Sequence, residues 1–253
     1  MVSGALLAGY LVVCGILFAV QRKITFTPPN ELLTVADGSQ RVDVPNGTFF
    51  LWKTAPGTGP VVVHFHGHGE QVSYLSWLGE AWQRNGASWA AVEYPGYPGT
   101  HGEATEASIV AAAEAALIHL TVTMKIDRSR IVLEGQSLGT GVAITMATRG
   151  WGTRLVLISP YTSLPDVAGR AFPWLPTSLL IVDRFDSQGR AAEIKVPTLI
   201  VHGSLDTIVP IDIGRTLGSA IPGSRFFTVN GGHHHDLLDR DAPQEVLFAF
   251  VRE

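Results

Sequence analysis

One serine in this chain stands where a hydroxyl could become a nucleophile. It is Ser137, in the run Ile131-Val132-Leu133-Glu134-Gly135-Gln136-Ser137-Leu138-Gly139-Thr140-Gly141. An apolar, β-branched run precedes it and a small-residue, helix-compatible segment follows, so the serine falls in a sharp strand-to-helix turn. Such a turn lifts the hydroxyl clear of the backbone only where the residues two positions to either side leave room, and these are Gly135 and Gly139. The turn also sets Ser137 at a helix N-terminus, where unpaired N–H groups and the positive end of the helix dipole favour an oxyanion. The Leu138 amide is one expected donor. Because a serine hydroxyl is a poor nucleophile near neutral pH, the chemistry also needs an imidazole to take its proton and a carboxylate to hold that imidazole's tautomer.

Candidates for both follow later strand-like runs. Asp206 comes after a predicted strand at 198–201, in His202-Gly203-Ser204-Leu205-Asp206-Thr207-Ile208-Val209-Pro210. His233, His234 and His235 come after a predicted strand at 225–229 and the turn Asn230-Gly231-Gly232. Spacing alone leaves the base open among these three. A second oxyanion donor is expected from the backbone of Gly67-His68-Gly69, at the end of a strand over 61–66, with the His68 amide as the candidate. His64, His66 and His68 alternate along an extended segment, which is a possible metal pattern. The acidic ligand and further histidine of a hydrolytic metal site are missing beside them, so no metal is expected. His64 then reads as a core histidine and His66 as a residue that shapes the loop.

The elements that must position these groups alternate in type. A hairpin over 41–53 turns at Pro45-Asn46-Gly47, where Asn-Gly tolerates the positive φ of a tight turn. After it come the strand at 61–66, a helix at 71–84, a strand at 88–94, an Ala-rich helix at about 104–123 and the strand leading into Ser137. Beyond the small-residue helix lie a strand at 155–158, an irregular insert at 159–195, the strand at 198–201, a helix at 211–220, the strand at 225–229 and a final helix from about 243. This order predicts an α/β fold with a doubly wound, mostly parallel sheet, in which ligands sit beyond the carboxyl ends of the strands.

Composition narrows the partners. The 253 residues fit one large domain, and a net charge of −4 without a Lys/Arg block leaves no footprint for nucleic acid. A single cysteine, Cys14, excludes internal disulfides and thiolate metal sites, and nothing points to a cofactor. Residues 1–20 carry no charged side chain and as a helix would span about 30 Å, the thickness of a bilayer's hydrocarbon core. They lack the basic start and the A-x-A-like exit of a cleaved signal peptide, so they read as a single-pass membrane anchor. Arg22 and Lys23 follow the span, and the positive-inside rule favours the cytoplasmic side for them and the rest of the chain, but two charges leave the side of the catalytic domain open. Residues 24–27 read as a short strand stopped by Pro28-Pro29. The expected organisation is an anchor at 1–23 and one catalytic domain at 24–253, with 159–195 as a short lid.

Taken together, these residues resemble the α/β-hydrolase superfamily of serine hydrolases. His66-Gly67 with Gly69 is similar to its oxyanion loop, Gly135-Gln136-Ser137-Leu138-Gly139 to its nucleophile elbow, and His202-Gly203-Ser204-Leu205-Asp206 with Val209-Pro210 to its acid segment. Gly231-Gly232-His233-His234-His235-Asp236 is similar to its base segment, and that register implies His234 as the base, with His233 as the alternative. A narrower resemblance, to membrane-anchored members that include protein depalmitoylases and lysophospholipases, rests on the N-terminal span with Gln21-Arg22-Lys23, on Tyr94-Pro95-Gly96-Tyr97, on Ser159-Pro160-Tyr161-Thr162-Ser163 and on Asp183-Arg184-Phe185-Asp186-Ser187. It implies esterase or thioesterase chemistry on an acyl ester, a lipid or an acylated protein. The insert occupies the place of a lid, and Trp174 within Phe172-Pro173-Trp174-Leu175-Pro176 is expected to border the acyl site. Two other readings compete: a catalytically silent hydrolase fold serving as a scaffold or binding module, and a peptidase or amidase using the same triad.

Overall fold

The computed structural model describes residues 2–31 and 38–253. Eight strands form one sheet: β1 Gln40–Asp43, β2 Phe49–Lys53, β3 Val61–Phe65, β4 Ser88–Val92, β5 Ile131–Gln136, β6 Arg154–Ile158, β7 Thr198–Gly203 and β8 Arg225–Val229. Their order is β1-β2-β4-β3-β5-β6-β7-β8. The β1–β2 and β2–β4 pairings are antiparallel and the remaining five are parallel, so the sheet is mostly parallel, with β5 in its middle. Gly47, at φ 82°, supplies the left-handed residue of the β1–β2 turn.

Strand periodicity explains why both faces are covered. Val61, Val63 and Phe65 of β3, with Ile131 and Leu133 of β5, enter one apolar core, whereas Val62 and Val132 enter the other. The first core is closed by α3 Glu106–Ile118, α4 Leu138–Thr148 and α8 Ile211–Ala220, and the second by α2 Ser76–Arg84 and α9 Asp241–Arg252. A capping box between Thr105 and Ser108 starts α3. The α2 segment is preceded by a 3₁₀ turn at Val72–Leu75, and α3 runs into a π-helical turn at His119–Thr123. The insert is not irregular throughout: it folds into α5 Leu164–Ala171, α6 Thr177–Leu180 and α7 Ser187–Arg190.

The N-terminal segment departs from expectation. Helix α1 runs from Val2 to Thr25, so residues 24–27 are no strand and the expected boundary at residue 23 falls inside the helix. The Phe26 amide donates to the Arg22 carbonyl at 2.8 Å, and Thr27 Oγ1 donates back to the Lys23 and Ile24 carbonyls. Phe26, buried, meets the edge of Phe185. These contacts satisfy the last turn before Pro28 ends it, which outweighs the β preference of Ile24 and Thr25. The segment Gly4–Thr25 has a mean hydropathy of 2.1, long and apolar enough to cross a membrane.

Two polar side chains tie the centre of the sheet. His64 of β3 and Glu134 of β5 are register partners on adjacent parallel strands, and Nδ1 lies 2.6 Å from Oε1 with both side chains fully buried. Removing one member of such a pair leaves a desolvated polar group without a partner. Glu134→Leu is therefore expected to cost about 3–5 kcal/mol. The denaturant midpoint should fall with the slope unchanged; an unmoved midpoint would show that the pair contributes nothing net.

Candidate active site

The turn between β5 and α4 fixes everything that follows. Ser137 sits at φ 48° and ψ −117°, a region that non-glycine residues rarely occupy. Close packing enforces it. A Cβ on Gly139 would run into the Phe65 carbonyl oxygen, and one on Gly135 into the Gly139 carbonyl, so helix α4 lies directly against the ends of β3 and β5. The Ser137 amide donates to Ile158 O at 2.9 Å, and the Ser137 carbonyl accepts from Thr140 N and Thr140 Oγ1. The turn is held from both sides, with the hydroxyl facing outward.

Two loops at the far edge of the sheet bring up the base and the acid. His234 Nε2 lies 2.9 Å from Ser137 Oγ, and His234 Nδ1 lies 2.7 Å from Asp206 Oδ2. Asp206 Oδ1 accepts from the amides of Ile208 and Val209 at 3.0 and 2.8 Å, so the loop after β7 holds one carboxylate oxygen while the other is left for the histidine. His202 Nε2, which hydrogen-bonds the Val209 carbonyl, stands 3.4 Å from Oδ2. Burial alone would raise the Asp206 carboxyl; the contacts from His202 and His234 outweigh it and hold the group well below the usual carboxylate range. An ionised Asp206 only accepts, so Nδ1 of His234 carries the hydrogen and Nε2 is free to accept from the Ser137 hydroxyl. That is the tautomer a general base requires.

The three histidines separate clearly. His233 is exposed and its amide donates to Asp236 Oδ1, while His235 is exposed and meets the His234 ring edge-on. Only His234 lies between Ser137 and Asp206. The earlier trio also parts: His64 faces Glu134, His66 faces Glu93, and His68 Nε2 reaches the Ile24 carbonyl and Thr27 Oγ1 at the end of α1. Because β3 stops at Phe65, their alternation does not put the rings on one face.

The oxyanion loop is ordered by two carboxylates that composition and spacing did not single out. Glu70 Oε2 accepts from the Gly67 amide at 2.7 Å, committing that donor. Glu93 accepts from His66 Nε2 and the Tyr94 amide through Oε1 and from the Val72 amide through Oε2. Desolvation would lower the His66 imidazole, but the Glu93 carboxylate prevails and holds the ring above its ordinary range. His66 Nδ1 then donates to the Gly67 carbonyl at 2.9 Å. In a trans peptide the carbonyl and the next N–H point opposite ways, so the His68 N–H points away from His66. His68 and Leu138 both border the cavity in which Ser137 lies. Leu138 is the first residue of α4, and its amide has no acceptor within its own helix.

That cavity holds about 430 Å³ and is mainly apolar, lined by Tyr161, Leu164, Val167, Phe172 and Ile181 of the insert together with Ile208. Thr25, at the end of α1, also lines it. Trp174 does not. The turn closed by the Leu175 amide on the Phe172 carbonyl leaves Phe172 on the cavity wall and Trp174 58 % exposed on the outside, which corrects the expected acyl contact.

No protein-family profile matches the chain. An uncharacterized protein of Mycobacterium tuberculosis is 33% identical over 210 residues, spanning 82% of this chain and 75% of that protein. An alpha/beta hydrolase domain-containing protein of Caenorhabditis elegans is 31% identical over 184 residues, spanning 72% of this chain and 53% of its own. Among solved structures, an esterase of Pyrococcus furiosus superposes with a TM-score of 0.72 at 16% identity, over 88% of this chain and 98% of that one.

The depressed Asp206 carboxyl has a consequence for stability. Its folded-state value lies below that of the unfolded chain, so its contribution is present above about pH 4 and is lost as the pH falls toward the folded value. Asp206→Asn should lower the denaturation midpoint near neutrality, and the gap to wild type should close on acidification. A gap that stays constant down to about pH 3 would contradict the assigned ionisation.

Proposed function

The chain belongs to the α/β-hydrolase superfamily, and on that premise we propose that it is a membrane-anchored serine hydrolase cleaving acyl ester or thioester bonds. The observation that carries this reading is the unbroken hydrogen-bond chain from Ser137 Oγ through His234 to Asp206, opening into an apolar cavity. The descriptions of two structural neighbours as esterases and of a third as a monoacylglycerol lipase support the choice of acyl substrates. The apolar helix α1 supports attachment to a membrane through a single N-terminal span.

In this mechanism Ser137 Oγ attacks the acyl carbonyl carbon as its proton passes to His234 Nε2. The oxyanion of the tetrahedral intermediate accepts from the Leu138 and His68 amides, and Asp206 stabilises the imidazolium. Collapse breaks the bond to the alcohol or thiol, which departs with the proton from Nε2, and the acyl group stays on Ser137 as an ester. Water, deprotonated by the same nitrogen, then attacks the acyl-enzyme, releases the carboxylic acid and restores the serine. No cofactor enters the cycle.

A fluorophosphonate probe should label the purified protein and fail to label Ser137→Ala; a wild type that never labels would sink the proposal. Asp206→Asn should reduce kcat by a factor of about 10⁴, because the histidine then loses the tautomer that accepts from serine. Phe172→Ala should flatten the preference among acyl-ester chain lengths while the short-chain rate changes little, and an unchanged preference would remove Phe172 from the acyl site.

A further inference from the structure

Helix α1 does not stand apart from the rest of the chain. Its least exposed stripe is Cys14, Leu17 and Gln21, spaced as one helical face, and α6 of the insert packs beside it. Three hydrogen bonds mark the path. Tyr10 Oη donates to the Trp174 carbonyl at 2.9 Å, the Val182 amide donates to Gln21 Oε1 at 2.7 Å, and Arg22 Nε donates to Asp183 Oδ2 at 2.8 Å. From Tyr10 to Gln21 the helix rises about 16 Å, roughly half the thickness of a hydrocarbon core. The insert accompanies α1 over that whole distance.

The sequence of the insert changes along this path. Residues 171–182, Ala-Phe-Pro-Trp-Leu-Pro-Thr-Ser-Leu-Leu-Ile-Val, contain no charged side chain and are bounded by Arg170 and Asp183. Their large apolar side chains are not buried in the protein: Phe172 is 50 %, Trp174 58 %, Leu179 79 % and Val182 52 % exposed. Four such residues on one short segment, next to a helix of membrane-spanning hydropathy, form a patch of the kind that marks a membrane surface. Arg22 pairs with Asp183 where the uncharged run ends, so the ion pair sits at the level at which charge returns in both segments.

We propose that residues 171–182 lie within the same bilayer as α1, as a second, non-spanning membrane segment, and that the cavity at Ser137 therefore opens onto lipid. This rests on reading α1 as a membrane anchor. Its backbone is suited to that setting, since α6 and the turns closed by Leu175, Thr177, Leu179, Leu180 and Ile181 satisfy amides internally. Phe172 and Ile181 lie in the immersed run and also line the cavity, and Thr25 lines it from the anchor. An acyl chain can thus pass from the hydrocarbon to the serine without crossing water, and the substrate class is an acyl ester or thioester already held in the membrane.

The test uses the full chain in phosphatidylcholine vesicles. On a Cys14→Ser background, single cysteines replace Leu6, Trp174, Leu179 and, as an aqueous control, Ser219 of α8, and each is labelled with an environment-sensitive fluorophore. Lipids carrying a quencher on the acyl chain should extinguish the labels at 6, 174 and 179 and leave 219 unaffected. Quenching at 6 with water-like emission at 174 and 179 overturns the proposal and leaves the anchor reading standing, whereas no quenching at any of them overturns both. Fluorophosphonate labelling of the same vesicles reports separately on Ser137, so a quenched but unlabelled protein would keep the membrane segment and remove the esterase. As a functional arm, Leu179→Asp should lose hydrolysis of vesicle-borne esters and retain that of a short soluble ester; equal effects on both would count against the proposal.

Discussion

The close approach of helix α4 to the ends of β3 and β5 is the constraint on which the rest of this structure depends. It exists because Gly135 and Gly139 present no Cβ to the backbone they touch, and its product is a serine held in a left-handed conformation. The strain is confined by the hydrogen bonds from the Ser137 amide to β6 and from Thr140 to the Ser137 carbonyl. A looser turn would relax the serine, and with it the relation between its hydroxyl and a helix N-terminus. Parallel strands on both sides of β5 make the tight turn possible, since they fix where the neighbouring loops begin.

Among the described residues three buried histidine–carboxylate pairs bridge neighbouring strands or the loops that follow them, and position decides the role of each. His64 and Glu134 join β3 to β5 within the sheet, where the pair serves cohesion. His66 and Glu93 join the loops after β3 and β4, and the outer nitrogen of His66 goes to the Gly67 carbonyl, so the pair orders backbone. His234 and Asp206 join the loops after β8 and β7, and there the outer nitrogen meets a hydroxyl beside a cavity. The side-chain types are nearly the same. What differs is the partner of the second nitrogen, and the fold sets it by how far beyond the strand each histidine lies.

That comparison also explains what could be read from the chain and what could not. Helix α8 and strand β8 carry the predicted limits, and strand periodicity and glycine-rich turns, being local signals, point to the loops after β5, β7 and β8 that bear Ser137, Asp206 and His234. Glu70 and Glu93 were invisible as ordering groups, because their partners are amides and a ring set in place by tertiary packing. Trp174 stays outside the cavity for a related reason: apolar content points to the right segment, but the turn at Phe172–Leu175 decides which side chain enters the cavity. The strand expected at 24–27 failed where local β preference met a helix end already satisfied by Phe26, Thr27 and the packing of Phe26 on Phe185.

The same packing makes the N-terminal helix part of the site's architecture. A freely tethered anchor would hold the domain near a surface without fixing its orientation. Here Arg22 pairs with Asp183, whose other oxygen accepts from the amide of Glu106 at the start of α3, and Glu106 in turn accepts from the Phe185 amide. The end of α1, the end of the insert and the start of a core helix therefore form one polar junction, and Phe26 stacks its edge on Phe185 beside it. Side-chain pairs near solvent contribute little individually, but Asp183 is buried and three elements meet at it. The last turn of α1 and the insert thus border the same cavity, through Thr25 from the helix and through Phe172 and Ile181 from the insert.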